Sequence, residues 1–450
     1  NDSAWVRWTA LILIALTMFF GYMFVDMMSP LQSMIEAQRG WTPDVFGMYG
    51  SSEFILNVFG FLILAGIILD KMGVRFTGIL SASLMVLGAG IKSYGLSNYF
   101  YEGGFGYEFL NSFLTDIPAS AKLACLGFMI FGCGCEMAGT TVSKSIAKWF
   151  KGKEMALAMG LEMAIARLGV FAVMWLAPII SNSFDHSVVA PVGFCTVLLL
   201  IGLINYIVFS VMDSKLDKQL VAAGMATEEK SPEDEFHIRD LGKIFSSKMF
   251  WLVALLCVLY YSAIFPFQRY APNYLEVTLG VDNATASQLF SFFPILAMCL
   301  TPLLGIFLDR KGKGATMLML GAIIMIVCHL SFAFVLPLYP HKWLAVTLIA
   351  VLGVSFSLVP AALWPSVPKI IDEKILGSAY CLIFWVQNIG LCLVPLLIGK
   401  VLQSTGGYLA PMIIFSSFGI LAFIFSFLLK AEDRRKGYGL ELPNVVKKDE

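Results

Sequence analysis

Gly66-Ile67-Ile68-Leu69-Asp70-Lys71-Met72-Gly73-Val74-Arg75 closes the second long apolar run of this 450-residue chain. Gly305-Ile306-Phe307-Leu308-Asp309-Arg310-Lys311-Gly312-Lys313 closes the eighth. Both read G-x-x-x-D-[K/R]-x-G with a further basic residue in the last places. One such string is weak. Two, each after the second run of a group of six, mark a duplicated six-helix unit. The residue types suit a hinge between helices. Gly lets two helices approach, Asp at a helix end can bond a neighbouring helix N-terminus, and the basic residues anchor the turn to one side. Lys and Arg alone would be topology anchors; the paired Gly-Asp-Gly pattern asks for more.

Working outward from the two turns, a span needs about 20 mostly apolar residues. The first half gives such runs at 6–34, 44–70, 74–95, 120–148, 154–181 and 188–212. The second gives 249–277, 283–308, 314–337, 342–368, 375–402 and 408–430. The first run, Trp8 to Met34, is too long for a signal peptide and reads as a span. The expected fold is therefore an all-α membrane protein with twelve transmembrane helices in two pseudo-symmetric six-helix bundles. The bundles are expected at 1–212 and 248–431, with a charged linker at 213–247 and a polar tail at 432–450. Within the linker, Phe236 to Phe245 reads as a short amphipathic helix.

Composition agrees. Apolar residues make up 58% and charged residues 14%, against about 25% charged in soluble domains, and mean hydropathy is +0.80. Net charge is zero, so nothing favours nucleic acid. The nine cysteines all lie in apolar runs, which disfavours a disulfide framework or a zinc site. No P-loop, metal constellation or nucleophile–base pair stands out, so neither a cofactor nor an enzyme is expected. Lys and Arg crowd the even-numbered connections (Lys71, Arg75, Lys144, Lys148, Lys151, Lys153, Arg310, Lys311, Lys313, Lys369, Lys374). The odd-numbered ones carry few (Arg39, Lys92, Lys122, Lys342, Lys400). Both termini are thus expected in the cytoplasm. The aromatic stretch 96–119 is then the one sizeable external loop.

Ionisable residues inside a span are costly and face a cavity or a partner. Asp26, Glu53, Glu136, Glu162 and Arg167 are the clearest. Counted from the connection at Lys148–Glu154, Glu136 lies ~18 Å and Arg167 ~20 Å into the bilayer at 1.5 Å per residue. Antiparallel neighbours place both near mid-membrane. They suit a zwitterion, with Glu136 near an ammonium and Arg167 offering its planar fork to a carboxylate. The plainer reading is an ion pair that only fixes two helices. Gly132, Gly134 and Gly139 flank Glu136 and give close approach or space. Asp26, beside Tyr22 and Gln32, suits substrate amine, a coupling proton or a local polar network. Glu53 is a second proton-coupling candidate, unless it is simply solvated near the external end. Glu162 reads as salt-bridged or snorkelling. In the second half, Tyr261, Gln387, Asn388 and Trp364 are the substrate-binding candidates, because buried amides need partners. Pro365 and Pro368 after Trp364 are expected to break their helix and make a gate.

The two turns, the twelve spans and the 6+6 split resemble the major facilitator superfamily, which implies alternating access around a central site. Lys148-Trp149-Phe150-Lys151-Gly152-Lys153-Glu154-Met155-Ala156-Leu157-Ala158 and Ala166-Arg167-Leu168-Gly169 carry a closer resemblance. So do Asp26 with Leu31-Gln32, Phe265-Pro266-Phe267, Trp364-Pro365-Ser366-Val367-Pro368 and Gln387-Asn388-Ile389-Gly390. They resemble the lysosomal dipeptide-uniporter family, that of major facilitator superfamily domain-containing protein 1. The resemblance implies a dipeptide carrier and points to the same Glu136 and Arg167. The short 1–2 loop lacks the cysteines typical of animal members, the 3–4 loop is longer, and no dileucine-type sorting signal is visible. These departures suggest a bacterial or distant relative, in a bacterial inner membrane rather than a lysosomal one. The expectation is a monomeric carrier of small zwitterions in a lipid bilayer, by uniport or proton symport. An organic-anion carrier would need Arg167 but not Glu136. A non-transporting receptor or scaffold is the alternative from another class.

Overall fold

In the computed structural model, residues 3–150, 155–224, 238–372 and 375–443 are described. The Asp70 side chain, Lys151, Lys153, Glu154, Lys374 and the linker residues 225–237 lie outside the described set. Among the described residues, twelve helices are long and apolar enough to cross a membrane. In the first half these are α1 (Ala4–Arg39), α2 (Pro43–Leu69), α3 (Lys71–Leu96), α4 (Ala119–Trp149), α5 (Leu157–Ser183) and α6 (Val189–Ala222). In the second they are α7 (Lys248–Leu279), α8 (Asn283–Lys311), α9 (Gly314–Val335), α10 (Lys342–Ile370), α11 (Ser378–Thr405) and α12 (Leu409–Lys436). The chain divides into two compact units, 1–229 and 230–450.

The repeat read from the sequence is a repeat of packing. In unit 1, α1 packs on α5 and α6, α3 on α4 and α6, and α2 on α4. In unit 2, α7 packs on α11 and α12, α9 on α10 and α12, and α8 on α10. The partners match helix for helix with an offset of six. With lipid outside there is no water to drive helices together, so association rests on close backbone contact. Small residues supply it. A Cβ at Gly127 would lie 2.5 Å from the Gly88 carbonyl oxygen, and one at Gly134 2.6 Å from that of Ser81, which presses α4 onto α3.

The two motif glycines have a backbone reason for being glycine. Gly73 sits at φ 81°, ψ 174° and Gly312 at φ 75°, ψ −141°, a region essentially closed to residues with a Cβ. The turn, rather than helix approach, fixes them. Gly66 and Gly305 do not bring helices together either, since a Cβ at either would meet nothing within 4 Å.

Several spans depart from regular helix. In α1 the α-helix ends at Asp26, and a 3₁₀ turn at Ser29–Leu31 with Pro30 leads to a second segment, Gln32–Arg39. In α2 a π-helical segment runs Asn57–Phe61 with Gly60 at φ 103°. Helix α6 runs on to Ala222, past the expected start of the linker at 213. A short helix, Ile238–Phe245, precedes α7. Three sequence expectations change. Helix α10 is continuous through Pro360, Pro365 and Pro368, because inside a membrane protein the freed carbonyls find other partners and Pro is tolerated. Lys92 is no loop residue but is wholly buried. The segment after α12 is not simply a solvated tail. Its main chain crosses the α8–α9 turn, where Lys313 N donates to Glu441 O at 2.9 Å and Gly314 N to Leu440 O at 3.2 Å. Glu441 also accepts from Thr316 N and Oγ1, both at 2.8 Å. Lys369 Nζ on α10 donates to Gly439 O at 3.3 Å and Leu442 O at 3.1 Å.

Candidate functional site

Unit 1 gathers charge inside its apolar shell. Tyr22 and Asp26 lie one turn apart on α1, Glu53 on α2, Glu136 on α4, and Glu162 and Arg167 on α5. The Tyr22 hydroxyl lies within electrostatic range of Arg167, Glu136 and Glu162, and Glu136 within range of Glu53. Tyr22 is therefore the meeting point of acidic groups on two helices and the one basic group of the set. Asp26 is buried, at the point where regular α1 ends. Glu53 is also buried, at 6% exposure, which overturns the solvated reading. It sits against Gly132, where an added methyl would run into the Glu53 carbonyl and reach 3.0 Å from its Cγ.

The glycines around Glu136 thus divide by role. Gly132 takes α4 onto α2 beside Glu53, and Gly134 takes it onto α3. Gly139, almost one turn past Glu136, has open space where a side chain would go. On α5, a Cβ at Gly169 would lie 2.5 Å from the Phe19 carbonyl oxygen. That contact packs α5 on α1 at Phe19, one turn from Tyr22, whose hydroxyl is in electrostatic range of Arg167. Four acids, Asp26, Glu53, Glu136 and Glu162, share this interior with Arg167. Such a group can hold a cation and an anion of one small molecule at once.

Unit 2 supplies a different surface. Trp364 on α10 donates its indole N–H to the Tyr261 hydroxyl on α7 at 3.3 Å, and Tyr380 on α11 donates to the Trp364 carbonyl at 3.1 Å. Trp364 stacks on Phe384 at 5.0 Å, and Tyr261 on Phe265 at 5.3 Å. Three of the four second-half candidates have contacts that place them on this α7–α10–α11 wall or beside it. Asn388 Nδ2 donates to Phe384 O at 2.8 Å, while its Oδ1, the Gln387 Oε1 and the Ser262 Oγ are buried without a hydrogen-bond partner. Gly390 lets α11 come to α7 at Ser262, where a Cβ would lie 2.6 Å from the hydroxyl oxygen. Buried acceptors without donors cost about 1–3 kcal/mol each, and they offer a ligand's N–H groups a place to bond.

Four groups escape a reading of composition. Asn57, on the π-helical segment of α2, is fully buried with neither side-chain atom hydrogen-bonded. Ser262 is a small hydroxyl in an apolar run. His329 on α9 is enclosed by Phe267, Phe332 and Phe415, with neither ring nitrogen bonded. Lys92 has the clearest signal of the four, a cation within the apolar run 74–95, whose other cation, Arg75, belongs to the motif turn. Among the described residues no group of His, Cys, Asp and Glu could hold a metal ion, and all nine cysteines are free.

Twelve spans, two units with the same packing scheme and ionisable groups buried among the spans define a polytopic carrier fold. The Major Facilitator Superfamily description matches residues 14–395, and the chain belongs to that superfamily. It is a transporter and an integral multi-pass membrane protein. It is 28% identical over 447 residues to the lysosomal dipeptide transporter MFSD1 of Danio rerio, covering 97% of this chain and 89% of that one. It is 26% identical over 316 residues to a probable nitrate transporter, NarT, of Staphylococcus haemolyticus, covering 69% of this chain and 74% of that one. Among solved structures, a nucleoside transporter NupG variant aligns with TM-score 0.71 at 14% identity, over 94% of this chain and 99% of that one. A D-xylose–proton symporter aligns with TM-score 0.67 at 15% identity, over 94% and 96%. These two share the fold.

Proposed function

We propose that this transporter moves dipeptides or similar small zwitterions by alternating access. The observation that carries the reading is the interior of unit 1, where Tyr22 lies within range of Glu136, Glu162 and Arg167. Glu136 receives the ammonium and Arg167 the carboxylate, with Tyr22 between them. Asp26 and Glu53 serve a coupling proton if transport is symport; neither is needed if it is uniport. Within unit 2, Tyr261, Trp364, Gln387 and Asn388 are the proposed substrate-binding residues, with aromatic faces and amide groups to offer. The names of the MFSD1 relatives, at near full-length coverage, point the same way. The basic residues near the motif turns favour both termini in the cytoplasm. A bacterial inner membrane is the proposed location and a monomer the proposed unit.

An anion carrier is favoured by the NarT relative. The acids weigh against it, since Glu136 and Glu162 share the surroundings of Tyr22 with Arg167 and an anion site would have no use for them. Uptake of a labelled dipeptide into proteoliposomes separates the readings. Arg167→Ala is expected to abolish uptake while size-exclusion profile and thermal stability stay near wild type. Dipeptides should compete, and analogues with both termini blocked should not. Full uptake by Arg167→Ala removes the site assignment, and competition by monocarboxylates alone selects the anion reading. Ligand-induced stabilisation without any flux selects a receptor.

A further inference from the structure

Lys92 lies on α3 near the end remote from the motif turn, and its side chain has no exposure. A lysine near a span end ordinarily extends along the surface to the interface. Here the ammonium turns inward. It lies 4.4 Å from the ring centroid of Phe24, 4.7 Å from Tyr49 and 5.3 Å from Phe128. It also donates a hydrogen bond to the Tyr49 hydroxyl. The close α3–α4 crossing enforces this, because a Cβ at Gly127 would lie 2.8 Å from Lys92 N.

Packing does not require an ammonium there. Methionine is an unbranched apolar side chain that also favours aromatic neighbours, and it would fill the box without the desolvation a charge suffers. A buried ionisable group in a span points instead to function. The three rings show which function. Phe24 lies on α1 between Tyr22 and Asp26. Tyr49 lies on α2 one turn before Glu53, on the same helical face. Phe128 lies on α4 eight residues, ~12 Å, before Glu136. The rings also touch one another, with Tyr49 stacked on Phe128 at 4.6 Å.

We infer that Lys92 is a positioning residue for the site of unit 1. Its ammonium holds α1, α2 and α4 in one register and thereby sets Tyr22, Asp26, Glu53 and Glu136 against one another. The inference rests on that site being the one that binds substrate.

The test uses the full chain with Lys92→Met and, separately, Tyr49→Phe, which keeps the ring and removes only the hydroxyl. Cys135 is a native reporter, half-buried beside Glu136 and within range of Glu53. Its alkylation by N-ethylmaleimide is followed by mass spectrometry, with the exposed Cys299 and Cys381 as internal references. Lys92→Met is expected to fold with unchanged or raised thermal stability and to change the Cys135 rate at least about threefold, with both references unmoved. KM for dipeptide uptake should rise about tenfold. Tyr49→Phe should shift both in the same direction by less. Wild-type labelling of Cys135 in a folded Lys92→Met overturns the inference. If that variant does not fold, Tyr49→Phe decides, and wild-type labelling there overturns it. Labelling needs no substrate, so absence of dipeptide uptake by the unsubstituted protein would defeat the proposed function while leaving this test intact.

Discussion

At the α2–α3 turn, Arg75 reaches to Asp213 and Asp217 on α6, at 3.8 Å and 3.2 Å. Lys148 pairs with the same two acids at 3.0 Å and 2.7 Å, and Trp149 donates to Asp213 at 3.0 Å. At the α8–α9 turn, the corresponding place is taken by main chain, the residues after α12 bonded to Lys313, Gly314 and Thr316. The two turns share a sequence pattern and a glycine-only backbone, yet ion pairs between side chains hold one, while main-chain bonds and the Glu441 carboxylate of a later segment hold the other. A duplicated unit has therefore kept the geometry that only glycine can adopt and changed the means of holding it. A Cβ at Gly73 meets nothing within 4 Å, whereas one at Gly312 would lie 2.5 Å from the Leu442 carbonyl carbon.

The largest effect is expected where this difference is electrostatic. Asp213→Ala leaves Lys148, Arg75 and the Trp149 N–H without their buried acceptor and should cost about 3 kcal/mol, measured by thermal unfolding of purified protein. A drop under about 1 kcal/mol would make the cluster a surface feature. Next come the paired variants Gly312→Ala and Gly73→Ala. Both force a Cβ into a glycine-only region, at about 1–3 kcal/mol each, but the first also meets the segment after α12 that lies across the α8–α9 turn as a strap. Gly312→Ala should cost more in the whole chain and fall to the Gly73→Ala value in a chain stopped after Lys436. Equal costs in the whole chain would mean that the strap yields freely. The smallest effect is expected for Arg75→Lys. Its side chain is 41% exposed, and an exposed pair is worth about 0–1 kcal/mol.

The fold was legible because its two signals are compulsory. Spans must be long and apolar to cross lipid, and glycine must recur wherever the turn backbone demands it. Glu136 and Arg167 were legible for a related reason, since a charge in an apolar run is conspicuous. Lys92 was hidden by its position. A cation close to a span end reads as a topology marker, and nothing in its own neighbourhood announces rings from three other helices. Glu53 was misplaced for the same reason, by depth without burial. Pro365 and Pro368 misled because the rule that proline breaks helices is drawn from water, where freed carbonyls are readily solvated. The strap left little trace at all, since much of its hold is through main-chain atoms that every residue type carries.

The strap also fixes an order of assembly. Every partner in the α2–α3 clamp has been made once α6 is complete at Ala222. The α8–α9 turn waits for residues 440–442, which follow the last span. As the chain leaves the ribosome at about 5–20 residues per second, the first turn can be clasped while the second half is still unmade. The second stays unclasped until all its helices are in place, so unit 2 alone can shift α8 against α9 late in its own insertion.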